Sequence, residues 1–228
     1  MNTIGVIGAM ETEVELLKGS LTDCEQKEFA HTSFFVGQYC GKRLVVACSG
    51  IGKVNAACTT QIMIDRFGVD CVINTGIAGG LSGKVAVGDV VVSKTMYYHD
   101  FELRFLTYRY PFTERFDADA VLVEAAKRAC TAAGISRLFV EDITTGDAFV
   151  TDSALKKDIV ERASTAYCVE MEGAAIAHAC AINDVPFVVI RTISDNADDN
   201  AEFSFEQFAE KTAQISSRLV LAMAGELK

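Results

Sequence analysis

The run Val185–Thr192 constrains the fold more than any other stretch, because it is β-branched and almost uniformly apolar. Such a strand is typical of a parallel sheet that is covered on both faces. The Ala-rich segment Ala174–Ala181 precedes it and predicts a buried helix. Strand-like and helix-like runs also make up the rest of the 228 residues, so we expect a single α/β domain over residues 1–228.

Composition narrows the classes of partner. The formal net charge is −10 and no Lys/Arg cluster stands out, which argues against nucleic acid or an anionic membrane as partner. No basic segment opens the chain and no apolar run reaches membrane-spanning length, so we expect neither a signal peptide nor a membrane span. The eight cysteines form no CxxC pair and lie mostly in apolar runs, which predicts buried thiols in a reducing cytoplasm. The three histidines are far apart in sequence, and we assign neither a metal nor a cofactor.

Carboxylates follow two of the predicted strands. Glu170 and Glu172 straddle the turn between a strand ending at 168–172 and the Ala-rich helix, and Asp195 lies just past Val185–Thr192. Open α/β sheets bind ligands beyond the carboxyl ends of their strands, so Glu172 and Asp195 are predicted to face one crevice. Each alone is as well explained as a turn or cap residue, and only their combination favours an active site.

A third carboxylate comes from the start of the chain. Thr3–Ile7 predicts a first strand, and Gly8–Met10 predicts the turn into a helix that carries Glu13 in its opening turn. The helix dipole favours an ionised carboxylate at that position. Acidic first turns are also common without any function, so this position alone decides nothing.

Glycine-rich segments follow three further strand-like runs. Ser49–Lys53 and Thr75–Gly80 match neither the P-loop nor the dinucleotide-binding spacing, and they predict tight turns where a ligand approaches the backbone. Thr144–Val150 predicts a third loop of this kind, in which Phe149 either stacks on a flat ligand or fills core.

Other segments predict structure without chemistry. Residues 24–48 predict three short strands in an antiparallel or mixed part of the sheet, and Asp117–Ala133 and Phe203–Leu227 predict helices. The aromatic-rich segment Tyr97–Phe112 either covers a pocket or packs against another subunit.

One set of motifs extends over almost the whole chain: GAMETEV, SGIGKVNAA, NTGIAGGL, VGDVVVS, YYHD, TGDAF, VEMEGAAIAH, VPFVVIRTISDNAD and FSFEQF. In this order they resemble the 5′-methylthioadenosine/S-adenosylhomocysteine nucleosidases of the nucleoside phosphorylase superfamily. The resemblance implies a three-layer α/β/α sandwich with a central mixed β-sheet, nucleoside phosphorylase-like. It also implies a homodimer that cleaves the N-glycosidic bond between adenine and a 5′-thio-substituted ribose with water.

The resemblance assigns roles to the three carboxylates. Asp195 matches the general acid at adenine N7, Glu13 matches the carboxylate that activates water, and Glu172 matches the residue that binds the ribose hydroxyls. Since an acid must hold a proton near neutral pH, we expect burial or neighbouring carboxylates to raise the pKa of Asp195. Arg191 and Ser194 match residues that support the acid and its base contacts. The substrate-binding positions implied by the resemblance are Ala9, Ile51, Ile77, Ala78, Gly79, Phe149, Val150, Glu170, Met171, Arg191, Ser194 and Phe205.

Alternatives to this function stay open. A phosphorylase needs arginines to clamp phosphate, and the chain lacks them in the expected segments. A 6-amino-6-deoxyfutalosine nucleosidase, a general adenosine nucleosidase and a catalytically silent nucleoside-binding relative also fit. Ile77 stands where the family often has Ser, and the segment Phe101–Phe116 departs from the family pattern. In the family that segment helps to cover the 5′-substituent, so we expect Leu103–Phe112 near the pocket of a partner subunit.

Overall fold

The computed structural model describes residues 1–227, which are built around a mixed sheet of ten strands. The strands are β1 (Thr3–Gly8), β2 (Thr22–Phe29), β3 (Thr32–Tyr39), β4 (Lys42–Cys48), β5 (Cys71–Gly80), β6 (Val90–Tyr98), β7 (Phe116–Asp117), β8 (Leu138–Thr145), β9 (Ala166–Glu170) and β10 (Phe187–Asp195). The mixed sheet agrees with the fold class predicted from the sequence.

Helices connect most of these strands. They are α1 (Glu11–Gly19), α2 (Lys53–Phe67), α3 (Ala120–Ala129), α4 (Ser153–Arg162), α5 (Gly173–Ile182) and α6 (Ala201–Glu226), together with a 3-10 helix (Leu103–Tyr108). None of the helices in residues 1–227 combines the length and the apolar content that a membrane crossing requires.

The sheet closes on itself at one end and extends as an arm at the other. Strands β5, β10, β6, β8 and β9 pair in a ring, because β10 pairs with both β5 and β6 while β9 pairs with both β8 and β5. From β5 the arm runs through β1 and β4, which are parallel, to β3 and β2, which are antiparallel. The short strands predicted over residues 24–48 are therefore confirmed as this antiparallel arm.

Helices cover both faces of the sheet, which gives the predicted three layers. On one face α2 and α5 pack on the sheet through buried side chains such as Met63 and Ile176. On the other face α1, α3 and α6 do so through Leu17, Leu122 and Leu219. Burying each such side chain contributes about 1.5–3 kcal/mol to stability. A smaller third cluster packs α4 against neighbouring loops and lies beside the cavity described below.

Several strands run further than the sequence predicts. Thr75–Gly80 is the second half of β5 rather than a turn, and β10 continues through Asp195 rather than ending at Thr192. The physical reason is the ring, because β5 and β10 pair along this whole stretch. A bulge between Ile193 and Asp195 interrupts their register. Bulges beside functional sites re-aim side chains, and this one lies at the predicted acid.

Two further predictions need correction. The helix predicted over Asp117–Ala133 is only α3, because Asp119 caps its start and Phe116–Asp117 pairs with β6. Only three of the eight free cysteines are buried, namely Cys71, Cys168 and Cys180. Cys24, Cys40 and Cys58 are exposed, since β2 is an edge strand with nearly every residue exposed and the other two lie on a turn and on the outer side of α2.

Candidate active site

A cavity of about 270 Å³ lies where β5, β9 and β10 end, beside the turns that follow β1 and β8. Its lining is mostly apolar, but it includes the side chains of all three carboxylates singled out from the sequence, Glu13, Glu172 and Asp195. No Lys or Arg belongs to the lining. The cavity therefore combines an apolar wall, suited to a flat base, with acidic groups.

Glu13 is fixed by backbone donors. It lies in the first turn of α1, as predicted, and its Oε2 accepts hydrogen bonds from the N–H groups of Ala9 (2.7 Å) and Met10 (3.0 Å). Its Oε1 accepts one from the N–H of Ile77 in β5 at 3.1 Å. Gly76 leaves room for this carboxylate, since a Cβ there would lie 2.5 Å from Oε1.

The pKa of Glu13 differs from the sequence expectation. The helix position favours ionisation, yet burial raises the pKa of Glu13 above its usual value. The nearby Arg191 charge and the three backbone N–H groups oppose this shift without cancelling it. The carboxylate is thus a stronger base than an exposed glutamate.

Glu172 stands at the N-cap of α5, in the predicted turn after β9. Its Oε1 accepts a hydrogen bond from the N–H of Gly52 at 2.9 Å, and its side chain faces the cavity. Burial raises its pKa to about 8, with a further contribution from the charge of Glu170.

Glu170, which also lines the cavity, forms a buried ion pair with Arg191, which lies behind the lining. The Arg191 Nη2 donates to Glu170 Oε2 and also to Asn74 Oδ1 at 2.6 Å. Glu170 further accepts from the hydroxyl of Thr145 and from the N–H groups of Glu172 and Gly173. These bonds occupy both Glu170 oxygens, so the pair holds the start of α5 in place.

Asp195 is the last residue of β10 and is 1% exposed. Its Oδ2 accepts a hydrogen bond from the Ser194 hydroxyl and its Oδ1 accepts one from the N–H of Ala197, both at 2.7 Å. Burial raises the pKa of Asp195, and these hydrogen bonds partly oppose the rise. The direction agrees with the sequence prediction, and burial rather than neighbouring carboxylates is its main cause.

The apolar wall of the cavity comes from separate elements. Phe149 and Phe205, from the loop before α4 and from the first turns of α6, contact each other edge to face with ring centroids 5.3 Å apart. Phe149 is 43% exposed, so it is not a core residue. Aromatic rings placed in this way offer faces on which a planar base can stack.

The start of α2 is capped by side chains from other elements. Its N-cap is Gly52, which has no side chain, and the N–H of Lys53 donates to Asp147 Oδ1 at 2.9 Å. The Lys53 ammonium donates to both oxygens of Asp100, at 2.7 and 2.6 Å. These bonds join the turn beside Glu172 to the loop that carries Phe149.

Comparison with known proteins identifies the family. Residues 3–224 match the model of the phosphorylase superfamily. The chain is 45% identical to the 5′-methylthioadenosine/S-adenosylhomocysteine nucleosidase of Colwellia psychrerythraea, over 98% of this chain and 96% of that protein. It superposes with a TM-score of 0.95 and 41% identity on the Neisseria meningitidis nucleosidase in complex with methylthio-immucillin-A, over the full length of both chains. The chain belongs to the 5′-methylthioadenosine/S-adenosylhomocysteine nucleosidase family.

A futalosine hydrolase is also similar. The structure of a futalosine hydrolase mutant of Helicobacter pylori superposes with a TM-score of 0.91 and 34% identity, over the full length of both chains. A protein named for a different activity is therefore structurally similar to this chain.

The structure brings together nearly all the site residues that the family resemblance implies. Fourteen of them line the cavity: Ala9, Glu13, Ile51, Ile77, Ala78, Gly79, Phe149, Val150, Glu170, Met171, Glu172, Ser194, Asp195 and Phe205. Arg191 does not line it. Arg191 was expected to support the acid, but its hydrogen bonds go to Glu170, Asn74 and a backbone carbonyl, because it sits on β10 behind the carboxylates.

Sequence reasoning also missed some contributors. Met10, Ala148, Val169 and Ala197 line the cavity as well. Each lies within two residues of a predicted position, so the nucleosidase motifs marked the right segments. No group of three or more His, Cys, Asp or Glu side chains within residues 1–227 is arranged to hold a metal ion.

Proposed function

We propose that the protein hydrolyses the N-glycosidic bond of 5′-methylthioadenosine and S-adenosylhomocysteine, releasing adenine and the thio-substituted ribose. One observation carries the proposal: Glu13, Glu172 and Asp195 line one apolar cavity that has no basic side chain in its wall. Membership of the nucleosidase family and the likeness to a structure with bound methylthio-immucillin-A support it.

Asp195 supplies the proton in this proposal. Adenine leaves poorly as an anion, so protonation at N7 assists cleavage, and general acid catalysis commonly contributes roughly 10²–10⁴-fold. Burial favours the protonated form of Asp195 near neutral pH. The Ser194 hydroxyl and the Ala197 N–H fix the orientation of the carboxyl group, and Asp195 lines the cavity in which the base would lie.

Glu13 and Glu172 act on the sugar side. Glu13, whose three backbone donors fix its orientation, accepts a proton from the attacking water. Glu172 uses one oxygen for Gly52 N–H and keeps the other for the ribose hydroxyls. The Glu13 carboxylate stabilises the positive charge that develops on the sugar as the bond breaks.

Phosphate in place of water would make the protein a phosphorylase. A phosphate dianion in a cavity lined by acidic side chains, with no Lys or Arg in the wall, lacks compensating charge. We therefore expect adenine release from 5′-methylthioadenosine in phosphate-free buffer at an undiminished rate. Strict dependence on added phosphate would overturn the hydrolytic proposal.

The futalosine hydrolase likeness supports a second candidate, hydrolysis of 6-amino-6-deoxyfutalosine by the same residues. The two activities differ in the 5′-substituent, so a substrate panel separates them. Adenine release is to be compared for 5′-methylthioadenosine, S-adenosylhomocysteine, 5′-deoxyadenosine and aminodeoxyfutalosine, with inosine as the non-adenine control. We expect the two thio-substituted nucleosides to give the highest kcat/KM.

We also propose that the protein is a homodimer in which Leu103–Phe112 lies near the partner's pocket. Within that segment the aromatic side chains of Phe105, Tyr108 and Phe112 are 50%, 67% and 62% exposed. Large exposed aromatic groups in one segment are typical of an interaction surface. As its location we propose the cytoplasm, on the cysteine pattern of the sequence alone.

A further inference from the structure

The turn that follows Asp195, residues 196–200, is held in place by helix α4. The Lys156 ammonium of α4 donates to the backbone carbonyl of Asn196 at 2.6 Å and to that of Gly80, the last residue of β5, at 3.0 Å. At the start of the same helix, the Ser153 hydroxyl donates to Asp199 Oδ2 at 2.5 Å. Two side chains of α4 thus bind the turn, and one of them also binds β5.

This turn determines where the Asp195 carboxyl group points. The N–H of Ala197 donates to Asp195 Oδ1, and Ala197 has φ +50°, in the left-handed region that non-glycine residues rarely adopt. Such a conformation persists only where the surroundings enforce it. Here Ala197 is fully buried in a small cluster with Val150 and with Ile159 of α4.

Helix α4 also continues the loop that carries Phe149 and Val150, which line the cavity. The same helix therefore connects the wall for the base with the turn that holds the acid. A hydrogen bond between α4 and that turn therefore fixes the distance between the base-binding wall and the Asp195 carboxyl group.

We propose that Lys156 is a positioning residue for the general acid: by binding the carbonyls of Asn196 and Gly80, it fixes Asp195 against the base-binding wall. This inference rests on the proposed function, because it concerns protonation of adenine. Lys156 does not line the cavity, so it acts through Asp195 and not on the substrate.

The charge of Lys156 also affects the pH at which Asp195 loses its proton, which can be measured separately from kcat. The charged groups that shift the pKa of Asp195 include Lys156 from α4 and Asp198 from the turn, and Asp195 in turn raises the pKa of the Cys168 thiol of β9. The ammonium lowers the pKa of Asp195, against the effect of burial, whereas Asp198 raises it. Loss of the ammonium therefore extends the protonated form of Asp195 to higher pH.

The test compares Lys156→Met and Lys156→Arg with a matched control, Lys157→Met. Lys157 is the next residue of α4, is exposed, and its side chain makes no hydrogen bond or ion pair within residues 1–227. Adenine release from 5′-methylthioadenosine is measured as kcat and KM from pH 5 to pH 10, and folding is checked by thermal unfolding. Ser153→Ala, which removes the other bond from α4, provides a second and milder variant.

We expect Lys156→Met to lower kcat about tenfold with a smaller change in KM, as for a lost charge-assisted hydrogen bond at a transition-state group. The pH above which Lys156→Met loses activity should be higher than in wild type, and Lys156→Arg should restore the wild-type pH profile. Ser153→Ala should lower kcat less than Lys156→Met does. Equal kcat values for Lys156→Met and Lys157→Met, or no restoration by Arg, would overturn the inference. A wild-type protein that releases no adenine would instead overturn the proposed function.

Discussion

Four carboxyl groups line one apolar cavity, namely Glu13, Glu170, Glu172 and Asp195, and they cannot all be ionised without compensating charge. Arg191 compensates part of the charge around Glu13, Glu170 and Glu172, and Asp195 stands apart beside Ser194. Burial raises the pKa of Glu13, Glu172 and Asp195 by penalising the ionised form of each. The roles of acid and base therefore follow from where each group finds its hydrogen-bond donors.

Replacing the proposed acid gives the most direct test at this scale. Asp195→Asn should lower kcat by roughly 10²–10⁴-fold, because the amide cannot protonate N7. The fold should survive, since the Asn oxygen can still accept from Ala197 N–H and the Ser194 hydroxyl can rotate to accept from the amide.

Adenine binding, measured by calorimetry, should stay within about tenfold of wild type in Asp195→Asn. The matched control is Asp158→Asn on the exposed side of α4. Hydrolysis at the wild-type rate by Asp195→Asn would show that another group is the acid.

The buried Glu172 also predicts how stability depends on pH. Its folded-state pKa of about 8 lies above its ordinary value of 4.5, so the folded protein binds this proton more tightly than the unfolded chain. Its contribution to the unfolding free energy is thus fully present at acidic pH and is lost as pH rises towards 8.

Glu172→Gln removes that titration. Between pH 5.5 and pH 7.5 the variant should lose less unfolding free energy than wild type, by on the order of 1–2 kcal/mol in urea unfolding at fixed protein concentration. Glu210→Gln, an exposed glutamate of α6, should follow the wild-type curve. Parallel curves for Glu172→Gln and wild type would contradict the prediction.

At the scale of elements, α2 is a helix whose start depends on the rest of the molecule. Gly52 supplies no capping side chain, and Asp147 from a distant loop takes its place. By contrast, α3 is capped by its own Asp119, which accepts from the N–H groups of Val121 and Leu122.

The two caps make a matched pair of variants. Asp147→Ala and Asp119→Ala should each cost ~0.5–2 kcal/mol of stability. Only Asp147→Ala should also raise KM for 5′-methylthioadenosine several-fold, because it frees the turn beside Glu172 from the loop of Phe149. An equal KM for both variants would mean that the cap on α2 has no bearing on binding.

Sequence patterns predicted the elements better than their ends. Local periodicity identified the strand before Thr75 and the strand before Ser194, but it assigned their glycine and polar residues to turns. Those residues are strand because β5 and β10 pair with each other, a long-range contact that local composition does not encode. Lys156 carried no signal at all, since two consecutive lysines in an amphipathic helix suggest only an exposed face.

At the scale of the whole molecule, the exposed aromatic segment predicts assembly. We expect sedimentation at micromolar concentration to give twice the chain mass of 24.6 kDa. Tyr108→Asp should shift the protein towards monomer, because it places a charge in the proposed interface. Val121→Asp, at a comparably exposed position on α3, should leave the mass unchanged. A wild-type monomer would refute the dimer proposal.

The resemblance of ordered motifs predicted the architecture and named most of the residues that line the cavity, because several motifs span the end of a strand, as NTGIAGGL does on β5 and VPFVVIRTISDNAD does on β10. It did not predict which side chains form hydrogen bonds with one another behind the cavity lining. The resemblance implied that Arg191 supports the acid and its base contacts, and the hydrogen bonds of its side chain to other side chains go to Glu170 and Asn74.

The ring of β5, β10, β6, β8 and β9 has a consequence for folding during synthesis of the chain. β10, which closes the ring and carries Asp195, is the last strand of the sheet to be synthesised. Glu13 is synthesised well before Ile77, which donates to its carboxylate, and before Arg191, whose charge acts on it. A nascent chain that ends before β10 therefore lacks the proposed acid and has an unclosed sheet, so we expect binding competence to arise in one late step rather than gradually.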